Sequence, residues 1–359
     1  MGIAFIFPGQ GSQYVGMGNN LYERFDNVKR LYDNVNGMLG FDLRKICHHG
    51  PADELNRDIT AQIAVYVNNY IHLELLKDRV MGQEKEGQGS GVRGHDEGQG
   101  SRVKGQKEKN QLAPCPPCLL PPIEPFEGRL AGAGLPLAPI MVTGYSLGFY
   151  SALVAGGAID FATGLAIVKE AAKLMEEEIG NKKGGMTAII GLLLEDVRAI
   201  CNDAKNDGDV WISNINAAKQ IIVSGIDAGL RVAERLALER GALHIIPLNV
   251  GLPFHTPLMK RAGERFYEYL RTVDIKDSEI PVISYMNGQI IKGKDEIRRI
   301  LAEQLYNPVM WKDTIRKMIN NDIDTFIEVG PERAIYRMIQ WIDRKVKVMA
   351  TEDILIQPN

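Results

Sequence analysis

Cysteine is scarce in this 359-residue chain, with only Cys47, Cys115, Cys118 and Cys201. That is too few to staple a chain of this length, so a disulfide scaffold is excluded and a reducing cytoplasm is expected. An excess of charge of either sign is also missing. Lys and Arg number 42 against 45 Asp and Glu, a net charge of −3. Such a balance does not suit a polyanion, so nucleic-acid binding is not expected. No apolar run reaches the ~20 residues of a membrane span. A basic leader is absent too. Residues 1–7, Met-Gly-Ile-Ala-Phe-Ile-Phe, run straight into a glycine turn and read as a first strand, not a signal peptide. Ile6 stands where N-myristoylation needs Ser or Thr, so no lipid anchor is expected. No long exposed apolar stripe is evident, which predicts a monomer. No metal-binding spacing is complete either: Cys115-Pro-Pro-Cys118 is a lone C-x-x-C without a second ligand pair.

What is present is an ordinary globular composition, 45% hydrophobic and 24% charged. Residues 82–134 differ from the rest. They are rich in Gly, Gln, Lys and Glu, then in Pro, and carry an imperfect tandem repeat over 86–107. With few apolar side chains to offset ordering entropy, they read as a disordered insertion in a surface connection. Residues 186–250 carry strands at 186–192, 210–213, 220–224 and 243–250, with helices at 195–205 and 227–241. That order is the ferredoxin-like split βαβ, a small subdomain inserted in a larger one. The larger subdomain, 1–185 and 251–359, alternates short apolar strands (3–7, 139–143, 281–285, 325–328) with longer helices. An α/β-hydrolase-like unit with a parallel sheet is expected.

Three motifs carry chemistry. Gly144-Tyr145-Ser146-Leu147-Gly148 is a G-x-S-x-G between an apolar strand and a helix. A serine on such a turn is presented at the helix N-terminus, and the N–H of Leu147 points to where an oxyanion would form. Phe7-Pro-Gly-Gln10-Gly-Ser-Gln13 follows the first strand. It fits neither G-x-G-x-x-G nor a P-loop. It reads instead as a tight loop that brings Gln10, a possible oxyanion donor, beside the serine. A serine nucleophile needs a base. Of six histidines, His95 lies in the insertion, His48 and His49 in a polar loop, His72 in a helical pattern and His244 in a strand. His255, in the proline-bounded loop Gly251-Leu-Pro-Phe254-His255-Thr-Pro257, is the candidate. Gln304-Leu-Tyr-Asn-Pro-Val309 reads as a helix stop whose backbone carbonyl could orient that histidine.

Together these stretches resemble the malonyl-CoA:acyl carrier protein transacylase family. The carrying residues are 7–13, Ser146-Leu-Gly with Tyr150-Ser-Ala-Leu153, Phe254-His-Thr-Pro-Leu-Met259, 304–309 and Glu328-Val-Gly-Pro331. The likeness spans nearly all of the chain outside 82–134. It implies ping-pong transfer from an acyl-CoA to a phosphopantetheine-bearing acyl carrier protein, with no cofactor. Ser146 would be the nucleophile and His255 the base. Leu147 and the Gln10 loop would hold the oxyanion, and the carbonyl of Gln304 would orient His255. Gln62, Asn216 and Phe254 match pocket positions. Three positions depart from the family: Tyr145 where it has His, Phe149 where it has Glu, and Ala171 where an arginine holds the malonyl carboxylate. Two expectations stay open, an uncharged acyl group, or malonyl with Lys169 or Lys173 as substitute. A hydrolase using the same dyad and a non-catalytic carrier-binding module are the alternatives. A lipase or esterase is disfavoured, because there an acid separates Ser from His in the chain.

Overall fold

The structure is a computed structural model that describes residues 2–86 and 138–355. Its ten strands are β1 (Gly2–Phe7), β2 (Met141–Gly144), β3 (Gly184–Ile190), β4 (Val210–Ala217), β5 (Gln220–Ile226), β6 (His244–Pro247), β7 (Val282–Ile283), β8 (Ile290–Ile291), β9 (Ile323–Glu328) and β10 (Lys347–Ala350). They form two sheets, one ordered β10-β9-β1-β2-β7-β8 and the other β4-β5-β3-β6.

The larger sheet explains the unbroken apolar character of residues 2–7. All six residues of β1 are buried, because parallel strands covered on both faces have no solvent side. β1 pairs in parallel with β2 and β9, and β9 with β10; only the β7–β8 hairpin at one edge is antiparallel. In register, Phe7 lies beside Gly144, and Ile6 lies beside both Thr143 and Glu328. The central strands therefore end level with one another, and the loops after them gather at one edge. In open α/β sheets that is the edge where ligands bind.

The smaller sheet is antiparallel, with the split βαβ order. Its side chains alternate with the strand period. Ile189, Ile221 and Val223 enter a small core with helices Leu194–Ala204 and Asp227–Glu239. Met186, Ala188 and Ile222 face the other way, into the main core. Backbone bonds tie β4 to the loop at Val309 in the large subdomain: Ile215 N–H donates to Val309 O at 2.8 Å, and Val309 N–H to Ser213 O at 2.8 Å.

Four local expectations differ from the structure. Helix Asp58–Glu86 runs through the first residues of the 82–134 segment; positions 87–137, with Cys115, Cys118 and His95, lie outside the described residues. His48 and His49 close helix Leu43–His49 instead of lying in a loop, and His48 is buried edge-on to Tyr22 and Tyr32. The strand expected at 281–285 shrinks to two residues. β8 and β10 were not anticipated at all.

Candidate active site

The serine sits on an elbow that only glycine allows. A Cβ on Gly144 would stand 2.0 Å from the carbonyl carbon of Gly148, and one on Gly148 would stand 2.0 Å from Phe7 O. Both contacts are far inside van der Waals range, so the two glycines let the strand–helix turn close against β1. Tyr145 N–H donates to Phe7 O at 2.9 Å and fastens the turn there. Helix Gly148–Ala155 begins immediately afterwards. Ser146 has φ 52°, a left-handed conformation uncommon for a residue with a Cβ.

His255 reaches the serine from the segment that follows β6. Its Nε2 lies 2.7 Å from Ser146 Oγ. Its Nδ1 lies 2.9 Å from Gln304 O and 3.1 Å from Asn307 O. Carbonyls only accept, so Nδ1 carries the proton and Nε2 is left to accept from the serine. Two carbonyls thus hold the imidazole in one tautomer, where the sequence pointed to Gln304 alone. Asn307 was missed because its contribution is a main-chain atom. Burial pushes the His255 pKa down to about 4, against the smaller opposing pull of the two carbonyls. The ring is therefore neutral and basic at ordinary pH. His255 also has φ 60°, and its N–H donates to Leu305 O at 3.1 Å. Gln304 is anchored in turn by the Tyr285 hydroxyl, which donates to its Oε1 at 2.9 Å.

The loop after β1 meets the serine from the other side. Gly9, Gln10, Gly11 and Ser12 all line the same cavity as Ser146 and Leu147. The loop is closed by Ser12 Oγ donating to Gly9 O at 2.8 Å, and by Gly11 N–H donating to Gln13 Oε1 at 2.7 Å. The carboxamide of Gln10 donates to Asp58 Oδ1 at 2.7 Å. That bond uses one of the two side-chain N–H groups and turns the carboxamide to Asp58, and the backbone N–H of Gln10 is the donor the loop itself adds.

The cavity measures about 110 Å³ and lies between the two sheets. Its large-subdomain wall includes Gln62, Tyr145, Tyr150 and Met175; its small-sheet wall includes Met186, Asn214, Asn216, Gln220, Ile222, Leu248 and Val250; Phe254 lies beside His255. None of the described residues that line it is a lysine, arginine, aspartate or glutamate. Phe149 and Ala171, both taken from the sequence as pocket positions, do not line it. Phe149 is fully buried and turns its ring edge-on to Tyr285 at 5.7 Å. Ala171 is fully buried on helix Phe161–Ile179, where its methyl is too short to reach; Met175, one turn on, does reach. Lys173 is exposed and paired with Glu170 and Glu177 at 3.8 and 4.0 Å, and Lys169 is not among the lining residues. Among the described residues no group of three or more His, Cys, Asp or Glu could hold a metal, and no helix is long and apolar enough to cross a membrane.

Tyr145 stands where the resemblance expects histidine. Its hydroxyl accepts from Asn214 Nδ2 at 2.8 Å and donates to Asn216 Oδ1 at 2.8 Å. One phenol thus joins the nucleophile turn to β4, and Tyr145→Phe would leave a buried donor and a buried acceptor unmatched. A loss of about 1–3 kcal/mol is expected, read as a lower Tm and urea midpoint; an unchanged midpoint would mean that the two asparagines repair the gap themselves. Asn214 and Gln220 were not picked out from the sequence as pocket residues. The period of two was the available signal, since Asn214 shares a face of β4 with Asn216.

Fold and cleft together define a two-subdomain α/β enzyme with a serine–histidine pair between its sheets. The chain belongs to the acyl transferase family: the family model for the acyl transferase domain matches residues 129–354. It is therefore an acyltransferase. It is 33% identical over 352 residues to the malonyl CoA-acyl carrier protein transacylase of Bacillus subtilis (strain 168), covering 98% of this chain and 93% of that one. Its fold is similar to the solved malonyl CoA-acyl carrier protein transacylase from Coxiella burnetii, with TM-score 0.79 and 26% identity over 99% of this chain and 96% of that one. A malonyl-transacylase solved in complex with a type II polyketide synthase acyl-carrier protein is also similar, with TM-score 0.76 and 26% identity over 98% and 95% of the two chains.

Proposed function

We propose that the protein moves an uncharged acyl group from coenzyme A to the phosphopantetheine thiol of an acyl carrier protein, through an acyl-Ser146 intermediate. The observation that carries this reading is a serine hydroxyl 2.7 Å from a neutral imidazole, in a cavity lined by no cation. Ser146 Oγ attacks the thioester carbonyl while its proton passes to His255 Nε2. The N–H groups of Leu147 and Gln10 receive the oxyanion. The intermediate collapses, and the coenzyme A thiolate leaves with the proton from His255. The carrier thiol then gives its proton to His255, attacks the acyl-serine carbon, and Ser146 Oγ takes the proton back. No step needs a metal or a cofactor. The relatives' names speak for a carrier-protein partner; the acyl group is argued from this cavity alone.

One observation favours a second reading. Gln220 is 1% exposed, and both its amide atoms lack a protein partner. A buried amide with both atoms unmatched suits a bound water. Water in place of the carrier thiol would make the same dyad a thioester hydrolase. The lifetime of the acyl-serine in buffer, with and without carrier protein, separates the two. An adduct that persists until carrier is added supports the transferase; one that decays equally fast in both supports the hydrolase.

His255→Gln is expected to lower the acylation rate about 10²–10⁴-fold. The sign of the pH dependence follows from the depressed pKa. Protonation disables the base, so the wild-type rate holds above about pH 5 and falls as pH drops through about 4. A pre-steady-state acylation profile measures this; a fall beginning near pH 6.5 would mean that His255 keeps its ordinary pKa in solution, and a profile flat through both values would assign the base elsewhere.

A further inference from the structure

One carboxylate outside the dyad touches both loops that bring the catalytic groups together. Asp58 begins the helix Asp58–Glu86. Its Oδ1 accepts from the carboxamide of Gln10 at 2.7 Å. Its Oδ2 accepts from the backbone N–H of Gly251 at 3.0 Å. Gly251 follows Val250, a cavity residue, and opens the segment that ends at His255. A neighbour strengthens the grip: Asn56 Oδ1 accepts from Gln13 Nε2 at 2.9 Å, at the far end of the Gln10 loop.

We propose that Asp58 is a positioning residue that sets the Gln10 loop and the His255 segment against each other. The proposal rests on the reading of Ser146, His255 and the Gln10 backbone as the reacting machinery. The Gln10 loop belongs to the large sheet, while Gly251 comes directly off the small subdomain. No covalent link shorter than 193 residues joins Asp58 to Gly251. The two bonds therefore tie both segments to one side chain. Each fixes a main-chain segment whose register decides where an N–H or an imidazole stands, and catalytic geometry tolerates only a few tenths of an ångström.

The group suits the task. A carboxylate is acceptor-only, so it holds two donors without competing internally. Burial raises the Asp58 pKa, and the bonds from Gln10 and Gly251 pull it back. Glu176, on helix Phe161–Ile179, feels the charge of Asp58 and the opposing charge of Arg57. Gly251 is also where a side chain would intrude, since its Cβ would stand 3.1 Å from Asp58 Oδ2.

The test compares the wild type with Asp58→Ala and Asp58→Asn. Asparagine keeps an acceptor for Gly251, and its Nδ2 can donate to Gln10 once that carboxamide turns over. A fluorophosphonate probe reads Ser146 reactivity without any acyl preference: serine oxygen bonds to phosphorus, fluoride leaves, and His255 takes the proton. Alanine is expected to slow labelling about 10–100-fold and to speed amide hydrogen exchange over both 9–13 and 250–255. Asparagine is expected to restore labelling to within about threefold and exchange to wild-type values. Asp58→Ser replaces alanine if that variant does not fold. Wild-type labelling by the alanine or serine variant overturns the proposal, as does faster exchange confined to one segment. Asparagine as slow as alanine overturns it as well, because charge and not the latch would then matter. A wild type that labels but takes no acyl-CoA sinks the acyltransfer reading and leaves the Asp58 result standing. A wild type that does not label sinks the dyad, and the exchange data then decide the latch alone.

Discussion

Ser146→Ala is expected to give no covalent adduct with any acyl-CoA and to lower acyl transfer by at least ~10³-fold. The expectation follows from what alanine would leave behind. The imidazole, the cavity and the backbone donors of Leu147 and Gln10 would stay, so binding would survive. The single group able to form the ester would be gone. The other hydroxyls of the cavity wall cannot replace it: Ser12 Oγ donates to Gly9 O, Tyr145 is engaged with Asn216, and Tyr150 and Tyr285 with Gln304. Intact-protein mass spectrometry after brief exposure to acetyl-CoA checks this. A wild type that forms no adduct would favour the non-catalytic module, and an adduct on the alanine variant would move the chemistry to another residue.

Ala171→Arg is expected to raise malonyl loading by ~10²–10³-fold. A buried carboxylate without its partner costs about 3–5 kcal/mol, and each 1.4 kcal/mol is about tenfold. The present cavity supplies no such partner. Its lining has no lysine or arginine, Lys173 is held at the surface by Glu170 and Glu177, and Ala171 lies one helical turn before the cavity residue Met175. An arginine at 171 would extend beside Met175 toward the acyl end. Overpacking at a fully buried site costs about 1–3 kcal/mol, so a lower Tm should accompany the gain. The measurement is parallel loading with malonyl-CoA and acetyl-CoA. Wild-type protein that takes malonyl as readily as acetyl would end the argument from Ala171.

Much of the architecture was legible because burial leaves a mark on sequence. Residues 2–7 read as a strand from an unbroken apolar run, and the G-x-S-x-G stood between a strand pattern and a helix. The order of strands and helices along 186–250 announced the split βαβ sheet. β8 and β10 were not legible, because two or four residues are too few for a period to show. The pairing of Ser146 with His255 was legible by loop context, but the second carbonyl on His255 was not, because a main-chain acceptor has no residue type. Asp58 was invisible for a related reason. Its partners lie 48 and 193 positions away, and an acid at the start of a helix has an ordinary local explanation.

Ser146 and His255 share a feature that neither chemistry nor burial requires of them: both are held with positive φ. For residues with a Cβ such a conformation costs roughly 1–2 kcal/mol each. Glycine would occupy it without penalty. Of the four such non-glycine residues among the described ones, the other two being Asp322 and Glu332, these are the two that meet at the cavity. Glycine at either position would relax the backbone and abolish the 2.7 Å contact between hydroxyl and imidazole, so a gain in stability here would be bought with that contact.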